Sequence, residues 1–274
     1  MTLKPHTLEF VRRLVFERSG IVLDGDKGYL VETRLAPLAH EAELPGIDAL
    51  VDRLRAGAAS RLEVQVVEAL LTGETSFFRN PQVFERLALN VIPRLLADRR
   101  PEQALHIWSA ACSSGQEPYS VAMVFHERFT DVLRRRTVRV IASDLSTTML
   151  DRARLGRYSR LEVSRGLSDH QLRRHFQAAG NSFQISDQLK ELLDFQQINL
   201  VRPWPTLPPI DLVLLRNVLI YMDTPTRQEI LGQLRRVMHP GGYVILGAAE
   251  ATFDAGAAFE TIDLSGLRCL RMRD

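Results

Sequence analysis

The stretch Leu105-His-Ile-Trp-Ser-Ala-Ala-Cys-Ser-Ser-Gly-Gln-Glu-Pro-Tyr119 decides how the rest of the chain is read. It opens as an apolar run, passes through Ala110, Ala111, Cys112, Ser113, Ser114 and Gly115, and re-enters as a helical pattern. A buried strand that ends in small residues and turns into a helix leaves backbone N–H groups free, and a ligand can approach the main chain there. This is the opening of a Rossmann-like unit, although its spelling is not the dinucleotide G-x-G-x-x-G. By itself the turn does not establish that anything binds.

On the carboxyl side the chain alternates strand and helix. Val138-Arg-Val-Ile-Ala-Ser-Asp144 is a short apolar strand ending in an acid, and a helix restarts near Ser146. Asp144 comes 29 positions after Gly115, which predicts a place at the carboxyl end of the neighbouring strand. A carboxylate there can accept two hydroxyl hydrogen bonds from a ribose diol, or it can simply cap the following helix. Residues 156–194 break the alternation, with a helix at 168–177, a polar turn at Ala179-Gly-Asn-Ser182, and strand-like runs at 183–185 and 193–196. These are read as an inserted antiparallel subdomain, after which Ile198-Asn-Leu200 closes the next core strand. Ile210-Asp-Leu-Val-Leu-Leu215 reads as a fully buried strand leading into Arg216-Asn217, polar residues where open α/β sheets hold ligands. An amphipathic helix at 224–238, a strand at 244–246, a polar-tipped loop at 247–250 and a terminal hairpin complete the chain.

On the amino side, residues 1–71 read as about four short helices, the first closed by Gly20. This bundle is either a packing cap or a substrate-docking surface presenting Lys27, Arg34 and Arg53. Leu71-Thr-Gly-Glu-Thr-Ser-Phe-Phe-Arg-Asn-Pro81 then sets two aromatics and an arginine on a polar turn. At their simplest, Phe77 and Phe78 anchor a linker and Arg79 caps a helix end.

The bulk numbers bound the function. A 45% apolar and 25% charged chain of 274 residues can bury a substantial core. A formal charge of +2 makes nucleic acid an unpromising partner, and Arg134–Arg136 is too short to be a basic arm. Cys112 and Cys269 lie far apart, which with the absence of a signal peptide or spanning apolar run is read as a reducing cytoplasm and reduced thiols. His170 and His175 lack the spacing of zinc ligands on a helix, so no metal is expected.

Several blocks fall in one order: Thr75-Ser-Phe-Phe-Arg79, Trp108 through Tyr119, Ala142-Ser-Asp144, Asn199-Leu200, Leu215-Arg-Asn-Val-Leu-Ile-Tyr-Met222 and Pro240-Gly-Gly242. Together they resemble the chemotaxis-receptor glutamate methyltransferases of the CheR type, nearly end to end. The resemblance implies an α/β fold, a class I S-adenosylmethionine-dependent Rossmann-like sheet with helices on both faces. It also implies an all-α N-terminal domain (1–71), a linker and helix contributing to the cofactor site (72–104), and a methyltransferase domain (105–274). The small antiparallel β-subdomain is expected at about 156–196 of this sequence, where the alternation lapses. The implied activity is cytoplasmic transfer of a methyl group from S-adenosylmethionine to receptor glutamates, leaving S-adenosylhomocysteine. The implied partners are the receptors' methylation helices, with regulatory proteins left unidentified. Matching positions imply that Gly73, Thr75, Arg79, Glu117, Asp144, Asn199, Leu200, Arg216 and Asn217 hold the cofactor, and that Tyr221 lies beside the transferred methyl.

Three departures stand out. Gly73 replaces the usual asparagine, so that contact is absent or replaced by Glu74. Gly247-Ala-Ala-Glu250 replaces Gly-His-Ser-Glu, which puts those side chains' roles in doubt. The loop at 177–183 carries the single Gly180, which predicts independence from the receptor C-terminal pentapeptide that some members bind.

The chemistry agrees with a carboxylate acceptor. A glutamate side chain with a pKa of about 4.3 is ionised at neutral pH, so no general base is needed. Arg79 and Tyr221 are the candidates for aligning the reactants. Glu117 can meet the cofactor's ammonium group or merely favour a helix N-terminus. The rival readings are a methyltransferase with another acceptor, a catalytically silent cofactor-binding sensor, and a nicotinamide dehydrogenase, the last disfavoured by the missing glycine motif.

Overall fold

The strands of the main sheet bury alternate residues on opposite faces, which the period of two requires. In the computed structural model, which describes residues 3–23, 28–57 and 60–273, four helices come first: α1 (Pro5–Ser19), α2 (Gly28–Glu41), α3 (Ile47–Arg55) and α4 (Ser60–Leu70). They enclose their own core of Val11, Val15, Val31, Leu35, Leu50, Val66 and Leu70. Gly20 ends α1 in the left-handed region (φ 71°), its N–H bonded to Phe16 O at 2.8 Å. A β-carbon at Gly20 would fall 2.5 Å from Val201 Cγ1, so this bundle sits hard against the rest of the molecule. α5 (Pro81–Arg86) and α6 (Ile92–Asp98) follow, joined by a π-helical turn at Leu87–Val91.

Next come β1 (Leu105–Ala110), α7 (Gln116–Arg128), α8 (Thr130–Arg135), β2 (Val138–Asp144) and α9 (Thr147–Leu155). The small subdomain contains β3 (Arg157–Ser159), α10 (Arg160–Ser164), α11 (Asp169–His175), β4 (Phe176–Ala179) and β5 (Ser182–Ile185). The chain finishes through α12 (Asp187–Lys190), β6 (Leu193–Gln197), β7 (Ile210–Leu215), α13 (Thr224–Val237), β8 (Met238–Leu246), β9 (Phe259–Leu264) and β10 (Leu267–Met272). The seven-stranded sheet has the order β6-β2-β1-β7-β8-β10-β9. Its pairs from β6 through β8 are parallel, and β10 is antiparallel to both β8 and β9.

Ile107, Val140, Leu212, Leu214 and Ile245 face one core with the apolar side of α7. Trp108, Ile141, Val213, Leu215 and Val244 face the other with Ile230, Leu231 and Leu234 of α13. Helices therefore cover both faces, as a parallel sheet demands. The chain runs outward from β1 through β2 to β6, then returns to β7 on the other side. The topological switch point thus lies between β1 and β7, where such sheets open a crevice at their carboxyl ends.

One boundary differs from the sequence reading. The run beginning at Leu193 is not part of the inserted antiparallel piece: it is the edge strand β6, parallel to β2 with Asp144 opposite Gln197. The small sheet is confined to β3-β5-β4, and Ile198, Asn199 and Leu200 lie in the loop beyond β6 rather than in a strand. Cys112 and Cys269 are free and buried. No described helix is long and apolar enough to cross a membrane.

Candidate active site

Small residues and left-handed backbone build the floor of a cleft at the carboxyl ends of β1, β2 and β7. In the turn after β1, Ala111 (φ 57°), Ser113 (φ 50°) and Gly115 (φ 93°) all adopt positive φ. Gly115 has no alternative, since a β-carbon there would lie 2.8 Å from Ala153 Cβ. Cys112 N bonds to Ser143 O at 2.8 Å, locking the turn to the end of β2. Tyr158, from the small sheet, donates its hydroxyl to Ser114 O at 2.8 Å and props the turn from outside.

Asp144 ends β2 beside this turn. One carboxylate oxygen accepts Ser113 N at 2.8 Å and the other accepts Ser146 N at 2.9 Å. Each oxygen keeps lone-pair capacity for a hydroxyl. The helix-capping alternative fails here, because the N-cap of α9 is Ser146, whose side chain accepts Met149 N. Burial pushes the Asp144 carboxyl above its ordinary value of 3.8, against the lowering effect of its backbone donors. Cys112 also lines the cleft, but burial and the neighbouring Asp144 and Glu117 push its thiol well up, so it remains neutral.

On the other side of the turn, Glu117 and Arg216 form a buried ion pair. Arg216 Nη1 meets Glu117 Oε2 at 2.8 Å, and Ser109 donates to Glu117 Oε1 at 2.8 Å. Arg216 Nη2 donates to Arg79 O at 2.7 Å and Asn80 Oδ1 at 3.0 Å, so Arg216 holds the segment carrying Arg79. Its Nε is buried and has no partner among the described residues, a donor aimed at nothing the protein supplies. The Arg79 side chain makes one hydrogen bond among the described residues, from Nη1 to Glu74 O at 3.0 Å, and the residue lines the cleft.

The aromatic pair before Arg79 is an anchor. Phe77 is fully buried and meets Tyr158 (4.9 Å) and Phe176 (5.5 Å) edge-on, while Phe78 packs on Phe84 (5.2 Å). A β-carbon at Gly166 (φ 98°) would fall 1.8 Å from Phe77 O, so the small subdomain clamps this segment from above. Gly73 lies in the wall, its carbonyl bonded by Ser113 Oγ at 2.8 Å.

All ten cofactor and methyl-transfer candidates, Gly73, Thr75, Arg79, Glu117, Asp144, Asn199, Leu200, Arg216, Asn217 and Tyr221, line the one cleft. Asn199 differs in kind from the others. Its amide nitrogen donates to Arg18 O at 2.7 Å and its amide oxygen accepts Val201 N at 3.1 Å, so the side chain ties the loop to the end of α1. Of the docking candidates, Arg34 and Arg53 do not join the cleft. Arg34 is half-buried and spends its guanidinium on Ala69 O and Leu71 O at the end of α4, a capping role. Arg53 lines a separate depression with Glu41, Glu43 and Arg61, and Lys27 lies outside the described residues.

Two contributions were missed. The N-terminal bundle forms a wall of the cleft through Ser19, Ile21, Glu68 and Leu71. Glu68 accepts Thr147 N (2.7 Å) and Thr148 Oγ1 (2.9 Å) at the start of α9, while Val22 N donates to Tyr221 O at 2.8 Å. Residues so far apart in the chain carry no shared spacing to read. The second is Glu250: it is not the polar tip of a loop but fully buried, and it accepts four backbone N–H groups.

Known proteins agree with this architecture. Residues 6–72 match the model of the CheR methyltransferase all-alpha domain, and residues 73–266 that of the CheR methyltransferase SAM binding domain. The chain is 38% identical over 249 residues to chemotaxis protein methyltransferase Cher2 of Pseudomonas putida, covering 89% of this chain and 90% of that protein. It is 37% identical over 256 residues to chemotaxis protein methyltransferase 1 of Vibrio cholerae (91% and 90% covered). Chemotaxis protein methyltransferase 1 of Pseudomonas aeruginosa is 38% identical over 246 residues (89% and 89%). The all-α bundle and the sheet domain are accordingly those of a methyltransferase, and the chain belongs to the CheR family.

Proposed function

We propose that this methyltransferase transfers the methyl group of S-adenosylmethionine to glutamate γ-carboxylates on the cytoplasmic methylation helices of chemoreceptors. The products are glutamate methyl esters and S-adenosylhomocysteine. The observation that carries the reading is the Asp144 carboxylate, held by Ser113 N and Ser146 N at the end of β2 with acceptor capacity left for a ribose diol.

The residues present fit the cofactor. Glu117 supplies an acid for its ammonium, and Arg79, whose side chain makes a hydrogen bond only to Glu74 O among the described residues, supplies donors for a carboxylate. When bound, the sulfonium supplies an electrophilic methyl for in-line displacement. Gly73, Thr75, Asn199, Leu200 and Asn217 complete the wall, with Asn199 acting through its hold on the N-terminal bundle.

What the chain's own residues must do follows from the charges. No histidine lines the cleft among the described residues, and a glutamate acceptor needs none, being already ionised at neutral pH. Carboxylate and sulfonium neutralise one another as the ester forms, so a cleft walled by Ile21, Leu71, Val218 and Met222 that limits water favours the step. Alignment contributes as much: holding reactants at attack geometry supplies about 7–11 kcal/mol. Arg79 and Tyr221 are the aligning groups, Arg79 on the Phe77–Phe78 anchor and Tyr221 on the segment bridged to Ile21.

The turn between β4 and β5 is only Gly180-Asn181, which supports recognition of the methylation helices without a receptor-tail tether. The test is incubation with methyl-labelled cofactor and receptor-rich membranes, followed by alkali. Label released as methanol is the expected result; alkali-stable label would move the acceptor away from a carboxylate, and no label would leave only a binding module.

A further inference from the structure

A buried carboxylate that accepts hydrogen bonds from a single loop governs that loop's shape, and Glu250 does so for the loop that bounds the cleft. Its side chain is fully buried. Oε2 accepts Asn217 N at 2.8 Å and Gly247 N at 2.7 Å, and Oε1 accepts Val218 N at 2.9 Å and Ile220 N at 3.2 Å. Three of the four donors therefore belong to residues 217–220, between Arg216 and Tyr221.

A single 3₁₀ turn at Leu219–Tyr221 orders the end of this loop, Tyr221 N donating to Val218 O at 3.2 Å, and leaves the N–H groups of Asn217, Val218 and Ile220 to Glu250. Asn217 sits in the left-handed region (φ 60°), which turns its N–H and that of Val218 toward a common acceptor. An anion at that focus satisfies groups that would otherwise be buried and unpaired. The contact is tight from the opposite side too. A β-carbon on Gly247 would fall 2.6 Å from Glu250 Oε2 and 2.8 Å from Asn217 Nδ2, so the position demands glycine for close approach.

We propose that Glu250 is a positioning residue for methyl transfer: through the backbone of residues 217–220 it sets where Arg216, Asn217 and Tyr221 stand around the cleft. The inference rests on the cofactor reading above. It gives Gly247-Ala-Ala-Glu250 a role that resides in its first and last residues, and leaves Ala248 and Ala249 free to vary.

The experiment compares Glu250→Gln and Gly247→Ala with Asp211→Asn. Asp211 is an equally buried carboxylate at the opposite end of the sheet, bonded to Arg99 and His106 N. Glu250→Gln sets an NH₂ group against backbone donors; Gly247→Ala crowds the same carboxylate without altering charge. Binding of S-adenosylhomocysteine is measured by calorimetry well below each melting temperature, with kcat and KM for the methyl donor. All three variants are expected to lower the melting temperature, but only the two loop variants should weaken binding, by tenfold or more, and lower kcat.

If Glu250→Gln binds like Asp211→Asn, the carboxylate is merely structural and the proposal falls. Should Glu250→Gln fail to fold, Gly247→Ala decides in the same way. Amide exchange in the unliganded wild-type protein decides independently of any variant: Asn217, Val218 and Ile220 should be protected, and rapid exchange overturns the idea. Wild-type protein that does not bind S-adenosylhomocysteine would instead sink the cofactor reading, a distinguishable failure.

Discussion

Two arginines line the same cleft, and replacing each by alanine should separate chemistry from architecture. The half-exposed Arg79 side chain makes a single hydrogen bond among the described residues, to a carbonyl. Its removal should cost about 1 kcal/mol of stability, which for a protein of this size lowers the melting temperature by roughly 2–4 °C. Its loss to catalysis is larger. Two charge-assisted hydrogen bonds to a carboxylate contribute about 1.5–3 kcal/mol each, so Arg79→Ala should lower kcat/KM by about 10²–10⁴-fold. Arg216 is the reverse case. Its guanidinium is committed to Glu117, Arg79 O and Asn80 Oδ1, with the side chain only 2% exposed. Arg216→Ala leaves the Glu117 carboxylate buried without its cation, a loss of about 3–5 kcal/mol, or roughly 6–20 °C in melting temperature. Thermal denaturation and a methyl-labelled turnover assay on both variants check this. Near-normal turnover by a well-folded Arg79→Ala would refute the alignment role outright. A small melting shift for Arg216→Ala would refute the view that this side chain is the scaffold of the segment.

Asp144→Asn should fold and weaken S-adenosylhomocysteine binding by about ten- to a hundredfold, the value of one hydrogen bond to a charged group; calorimetry reads it. Burial raises the Asp144 carboxyl above 3.8, with Glu68 adding to the rise, so the folded protein holds this proton longer than the unfolded chain. Stability from this group therefore falls as pH rises from 3.8 through the raised value, while ligand affinity, which needs the carboxylate, rises over the same window. A wild-type affinity flat across that acid range would count against the ribose assignment. Gly73→Asn should be tolerated, because a β-carbon there meets only Ser113 Oγ at 3.4 Å and Met149 Sδ at 3.9 Å, and ligand affinity should rise or hold; a fall in calorimetric affinity counts against this placement. Tyr221→Phe should retain most of its kcat if the ring alone shapes the site, and a loss beyond tenfold in the labelled assay would instead implicate the hydroxyl. A peptide of the receptor's last five residues should show no micromolar binding by calorimetry, given the two-residue turn at Gly180-Asn181.

The parts of the site that could be read from sequence are those in which chemistry and chain position coincide. The turn from 110 to 115 announces itself by residue size, and Asp144 by closing an apolar strand at the distance a βαβ unit sets. β6 was misplaced because five residues beginning at Leu193 carry no mark of their partner: the pairing that defines them is with β2, about fifty positions earlier, and follows a genuine antiparallel hairpin. Arg34 shows a related limit. A helical arginine reads as surface charge until the fold supplies carbonyls for it, as the end of α4 does for Arg34.

Glu250 shows the same limit from the side of function. Judged by its neighbours Ala248 and Ala249, it belongs to an altered motif whose importance is open. Judged by its donors, three of which lie thirty-odd residues earlier in the chain, it satisfies N–H groups that the loop's own 3₁₀ turn leaves unpaired. A motif is thus better tested by which backbone groups its side chains satisfy than by how many letters it keeps. By that measure Gly247 and Glu250 retain the physical content of their block, and the two alanines between them remove no hydrogen bond the loop depends on. The same criterion explains why the N-terminal bundle belongs to the site. Glu68 caps α9 directly after Asp144, Asn199 holds the end of α1, and Val22 pairs with Tyr221, so the wall and the groups it encloses share one hydrogen-bonded frame.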